Sequence, residues 1–152
     1  MKKIVVALAL AGIASVSLAQ QSLKPEEMIK IRKSGYSFMS WNMGKIKANL
    51  DGNFNKEQVI AAANVVAATA NSGMGVLLFG PGSEKDVGDQ KTRVKPEFFQ
   101  QQDKVKEVAM NYIKEANELA RVAASGDMAA IKAQFGKTGG ACKACHDDFR
   151  KD

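Results

Sequence analysis

Histidine is nearly absent: His146 is the single one in 152 residues. Any site that needs two imidazoles from one subunit is therefore excluded. Cysteine occurs only as Cys142 and Cys145. A structural zinc site takes four ligands, and these three residues fall one short. Proline is confined to Pro25, Pro81 and Pro96, so helices can run long without interruption. No stretch alternates apolar and polar residues at two-residue spacing, and no sheet is expected. There is no internal repeat, no low-complexity segment, and no dense basic cluster with interleaved aromatics of the kind that binds nucleic acid. No constellation of the hydrolase or transferase kind is visible, so an enzyme is not expected.

Long apolar runs are also missing, except at the start. Met1-Lys2-Lys3 is basic, Ile4 to Ala14 is almost continuously apolar, and Ser17-Leu18-Ala19 offers small residues to a signal peptidase. This pattern predicts a cleaved signal peptide over residues 1–19 and a single domain over residues 20–152. A membrane anchor is the alternative, but a span takes about 20 apolar residues. Export places the chain in the periplasm, an oxidising compartment, with no membrane attachment after cleavage. Cleavage lowers the formal charge from +6 to +4.

What is present favours helix. Alanine is abundant and β-branched runs are few. A first helix is expected from about Lys24 to Asn49, opened by Pro25-Glu26-Glu27. Its stripe is Met28, Ile31, Gly35, Phe38, Asn42 and Ile46. A second helix should start at Asn55 as N-cap, with Gln58 as capping-box partner and Phe54 and Val59 as hydrophobic staple. It should continue to Leu77 and stop at Gly80-Pro81-Gly82. After a polar loop, a third helix is expected from Pro96-Glu97 to about Ala124. Asp127 should cap the fourth. Met128, Ile131, Phe135, Thr138, Cys142, Cys145 and Phe149 then follow at alternating three- and four-residue spacing, which puts both cysteines on a buried stripe. His146, about 100° further round, should still point inward. Gly136, Gly139 and Gly140 should kink this helix. Four helices with short connections and one longer crossover predict an all-α, antiparallel up-down-up-down four-helix bundle.

Cys142-Lys143-Ala144-Cys145-His146 is the c-type haem attachment pattern. Each thiol adds to one vinyl group, and the adjoining imidazole is placed under the iron as its axial ligand. The expected cofactor is one covalent haem c with His146 on the metal. A disulfide between the two cysteines, or a redox-active or metal-carrying thiol pair, is the haem-free alternative. A thioredoxin-like reading wants a βαβ context, which this sequence does not offer.

With these residues in view the chain resembles cytochrome c′, the high-spin group of class II c-type cytochromes. The resemblance spans the mature chain. It is carried by Lys24-Pro25-Glu26-Glu27, Arg32, Phe79-Gly80-Pro81-Gly82-Ser83, and Gly140 to His146 with Arg150. The motif lies close to the C-terminal end and no methionine follows it, unlike class I cytochromes. The resemblance implies that the position four residues after Arg32, here Tyr36, faces the vacant side of the iron. Tyr36 would then be a lid over a five-coordinate centre, and Met39, one turn on, the main candidate for an unexpected sixth ligand. It also implies that Arg32 and Lys33 meet the haem propionates and that Arg150 lines the proximal side. Thr92, Arg93 and Lys95 of the crossover loop are further candidates for the haem edge.

Two functions follow from this reading. One is a gas-binding haem protein whose ligands are nitric oxide and carbon monoxide, forming a homodimer through its first two helices. The other is an electron carrier with periplasmic redox partners and a six-coordinate haem.

Overall fold

Capping chemistry sets where the helices begin. The computed structural model describes residues 23–151; the predicted signal peptide lies outside them. Six helices occur among these residues: α1 (Pro25–Asp51), α2 (Lys56–Ala70), α3 (Met74–Leu77), α4 (Glu97–Gln100), α5 (Gln102–Ser125) and α6 (Met128–Phe149). At the head of α1 the Glu27 carboxylate accepts the Lys24 backbone N–H at 2.9 Å. At the head of α2 the Asn55 side-chain oxygen accepts Gln58 N–H at 2.9 Å. The reciprocal half of that capping box is replaced. Asn49 Oδ1 takes the Asn55 N–H at 2.8 Å, and Gln58 Oε1 accepts from Asn49 Nδ2. Asp127 caps α6 through Ala129 and Ala130 N–H groups at 2.9 and 3.1 Å.

The four long helices α1, α2, α5 and α6 form a four-helix bundle. Successive neighbours pack closely, α1 on α2, α2 on α5 and α5 on α6, whereas α1 and α6 touch only lightly. Three apolar clusters stack along the bundle. Ile46, Val59, Leu119 and Ile131, all fully buried, anchor the first. Met39, Val66 and Ala116 form the second, with Met43 and Tyr112 against it. Phe98, Val105 and Phe149 form the third, joined by Phe79 and Cys145.

Several expectations are corrected. The second helix does not reach Leu77 unbroken. Thr69, Asn71 and Ser72 side chains each donate to a backbone carbonyl of its last turns, which competes with helix continuation. Gly73 then adopts the left-handed region at φ 79°, open to glycine without steric cost, and α3 is a separate turn. The third helix also breaks, at Gln101 with ψ 56°, so α4 is one turn set before α5. On α1 the buried face is rotated from the predicted stripe. Ile31 and Phe38 are exposed, and Ile29, Arg32 and Met39 go inside. Through Gly136, Gly139 and Gly140 α6 continues as helix without a break, because tertiary packing outweighs the weak propensity of glycine.

Candidate haem site

Both cysteines sit on the last turns of α6, three residues apart and half-buried. Burial pushes both thiols up from their ordinary pKa; for Cys145 the neighbouring Cys142 and Asp148 add to it. Cys145 packs against the Phe98–Val105–Phe149 cluster. Across the lightly packed α1–α6 seam stands Tyr36. Its ring meets Phe79 edge-on, centroids 6.5 Å apart at 64°. The residue is 36% exposed. Its pKa is pushed up to about 12, first by burial and then by Cys145 and Cys142, against the pull of Arg32. Tyr36 therefore stands within electrostatic reach of both cysteines.

Arg32 is 3% exposed. Its Nη1 donates to Leu78 O at 3.0 Å and Ser83 Oγ at 2.9 Å. Its Nη2 donates to Ser83 O at 2.6 Å and Thr92 Oγ1 at 2.5 Å. The guanidinium also lies 4.7 Å from the Phe79 ring centroid, a cation–π contact. All four acceptors are neutral, and no carboxylate pairs with Arg32 among the described residues. Burial lowers its pKa. A buried cation without a counter-charge is costly, and the anionic edge of a haem would supply one.

The surroundings of His146 are built by the crossover loop. Lys95 N–H donates to Phe149 O at 2.9 Å and Lys151 N–H to Arg93 O at 2.7 Å, pairing residues 93–95 with the end of α6. This brings Arg93, Lys95, Arg150 and Lys151 around His146 in an open cleft. His146 is exposed instead of inward, since the cysteines already stand at the margin of the buried stripe and the next residue turns off it. Arg150 Nη1 approaches His146 Nδ1 at 3.4 Å. Burial lowers the imidazole pKa, and Arg93 adds to this against Asp147. A neutral imidazole is the form that binds metal.

The proposed site residues thus divide. Tyr36 stands across the α1–α6 seam from Cys142 and Cys145, and both Tyr36 and Arg32 touch Phe79. Arg93, Lys95 and Arg150 flank His146. Thr92 turns to Arg32, and Lys33 is exposed with no polar partner among the described residues. Sequence reading missed Ser83, fully buried under Arg32, and the role of Tyr112. The Tyr112 hydroxyl donates to Met39 Sδ. Its only sequence signal was its place as a polar-tipped aromatic within the third predicted helix.

The residues fit a haem: an apolar seam, two thiols on one helical face, a neutral imidazole beside them and a buried cation at one end. A helical bundle that presents Cys-x-x-Cys-His from its final helix defines a c-type cytochrome of the four-helix class. Within that class the chain belongs to the cytochrome c′ family, whose model, described as Cytochrome C', matches residues 27–150. It is 58% identical over 139 residues to cytochrome c′ of Allochromatium vinosum, covering 91% of this chain and 89% of that one. With cytochrome c′ of Rhodocyclus tenuis it shares 57% over 129 residues, covering 84% and 96%. The crystal structure of cytochrome c′ from Thermochromatium tepidum superposes with a TM-score of 0.84 at 56% identity, covering 86% of this chain and 99% of that one. Membership implies a covalently bound haem c.

Proposed function

We propose that this chain is a periplasmic gas-binding haem protein, a binder and not an enzyme, whose iron carries a single axial ligand. Cys142 and Cys145 would hold the haem by thioether bonds and His146 would ligate the iron. When bound, the haem supplies an iron with one axial position open to a neutral diatomic. The carrying observation is Tyr36: it stands on α1 across the seam from the cysteines, its ring edge-on to Phe79, and burial raises its phenol above the ordinary pKa. A neutral phenol is a poor ligand for ferrous iron, so Tyr36 acts as a lid. It excludes water and anions by bulk and burial, and a small uncharged ligand enters as the ring moves. No second histidine exists in the chain to close the site.

Relatives support nitric oxide and carbon monoxide as the ligands. Variants of the Alcaligenes xylosoxidans cytochrome c′, 27% identical to this chain with a TM-score of 0.73, have been solved as carbon monoxide and nitric oxide complexes. Export to the periplasm rests on the predicted signal peptide. Among the described residues no helix is long and apolar enough to cross a membrane.

A homodimer through α1 and α2 belongs to the same reading. Ile31, Phe38 and Trp41 are 43%, 53% and 59% exposed on α1. Beside them Gly35, Phe38, Val65, Ala68 and Met74 line an apolar groove between α1, α2 and α3. A 58% identical cytochrome c′ structure is described as having an unusual ligand-controlled dimer dissociation. Tyr36 is on α1 here, so its displacement would be felt at that face. Sedimentation with saturating carbon monoxide tests the coupling; an unchanged association state removes it.

The deciding experiment is the absorption spectrum of the ferric and ferrous protein with and without nitric oxide. High-spin spectra that shift on adding the gas are expected. A low-spin spectrum with a methionine–iron charge-transfer band overturns the proposal in favour of an electron carrier. One feature favours that second reading: the basic cleft of Arg93, Lys95, Arg150 and Lys151 beside His146 suits an acidic periplasmic redox partner.

A further inference from the structure

Six methionines follow the predicted signal peptide, and a thioether is a strong axial ligand for haem iron. Most are committed elsewhere. The Met28 and Met74 side chains lie against Gly80 and Gly35, and Met110 and Met128 are 57% and 48% exposed. Met43 packs into the apolar clusters. Met39 differs. It is one helical turn beyond Tyr36 on α1, 9% exposed, and its sulfur is the acceptor of a hydrogen bond from another helix. The donor is the Tyr112 hydroxyl on α5. Tyr112 is itself partly buried against the cluster of Met39, Val66 and Ala116.

We propose that Tyr112 keeps the distal position of the iron open by holding the Met39 thioether against α5. This rests on the five-coordinate reading above. Tyr112 is a positioning residue: it acts through Met39. The hydroxyl occupies a sulfur lone pair, the same electrons that would bind iron. Val66 and Ala116 pack beside Met39 and fix the methionine stem, so the hydrogen bond decides where the sulfur points. A sulfur drawn to the iron would also leave a half-buried phenol without its partner, which opposes the exchange.

The test compares the haem-loaded wild type with Tyr112→Phe, Met39→Leu and the double variant. Wild type and Met39→Leu should be high-spin. Tyr112→Phe should gain a low-spin fraction with a methionine–iron charge-transfer band. Its apparent dissociation constant for carbon monoxide should rise by the inverse of the fraction left five-coordinate. The double variant should return to high spin. A Tyr112→Phe protein that stays fully high-spin with wild-type carbon monoxide affinity overturns the inference and leaves the five-coordinate reading standing. So does a low-spin band that survives in the double variant. A methionine band in the wild type that Met39→Leu abolishes overturns both. Should Tyr112→Phe fail to accumulate, proton NMR of the wild-type ferrous carbonyl form decides. A cross-relaxation peak between the Met39 methyl and the Tyr112 ring is expected, and its absence overturns the inference.

Discussion

Arg32 Nη2 donates to the carbonyl oxygen of Ser83 at 2.6 Å, across 51 residues of sequence. Ser83 is fully buried and hands its own hydroxyl proton on to Gly80 O at 2.8 Å. One guanidinium on α1 thereby ties down the crossover loop at two places, Ser83 near its start and Thr92 near its end.

Replacing Arg32 by glutamine should therefore loosen this end of the bundle. Four hydrogen bonds and a cation–π contact are lost or weakened, and buried acceptors are left unpaired. The expected loss is roughly 2–4 kcal/mol, with Ser83→Ala costing about 1 kcal/mol. Denaturant unfolding of the haem-loaded protein measures it as a lower midpoint at unchanged slope. A midpoint equal to wild type for Arg32→Gln would show that the clamp carries no stability.

The same corner depends on Gly82. Its φ is 86°, and a Cβ there would lie 2.8 Å from Pro25 Cγ. A left-handed φ at a non-glycine residue and a clash with a rigid ring act together. Gly82→Ala should lose about 1–3 kcal/mol, read as a drop in thermal midpoint. Gly136→Ala, where a Cβ meets nothing within 4 Å, should be neutral or stabilising.

Tyr36 and Tyr112 make stability depend on alkaline pH in a defined direction. In the unfolded chain a phenol ionises near pH 10.0, whereas folding raises Tyr36 to about 12 and raises Tyr112 as well. Between those values the folded state holds protons that the unfolded state has lost, so stability falls as pH rises from about 10 to about 12. Tyr36→Phe should make that fall shallower and leave stability near neutral pH almost unchanged. Thermal midpoints of both proteins across this range check it. Identical slopes would mean that the Tyr36 hydroxyl is not buried.

Much of the fold was legible because its signals are local. Asn55 and Asp127 announce their helices by side-chain chemistry within three residues, and Cys142 and Cys145 continue a stripe whose buried part begins at Ile131, Met128 before it being exposed. What escaped depends on distant partners. The rotation of α1 that buries Arg32 in place of Ile31 follows from Leu78, Ser83 and Thr92, far along the chain. The break after Ala70 needed Thr69, Asn71 and Ser72 to be read as competitors for backbone carbonyls. His146 looked inward on helical geometry, and faces a basic cleft because residues 93–95 pair with the end of α6. The Tyr112–Met39 bond spans 73 residues and has no sequence period to betray it.

Phe38 and Trp41 stack on the outer face of α1, centroids 5.7 Å apart at 23°, with Lys45 Nζ 4.6 Å from the Trp41 ring. Adjacent exposed aromatics on a helix suit burial against a second copy. A two-fold axis applies any substitution there twice. Phe38 is 53% exposed, so about half the burial energy of a phenylalanine, roughly 1.5 kcal/mol per copy, is available to the dimer. Phe38→Glu should weaken dimerisation by roughly a hundredfold with no change in the haem spectrum. Met110→Glu, on an exposed position of α5, should leave assembly unaltered. Sedimentation velocity over a dilution series separates the two. A Phe38→Glu dimer as tight as wild type would move the interface off α1.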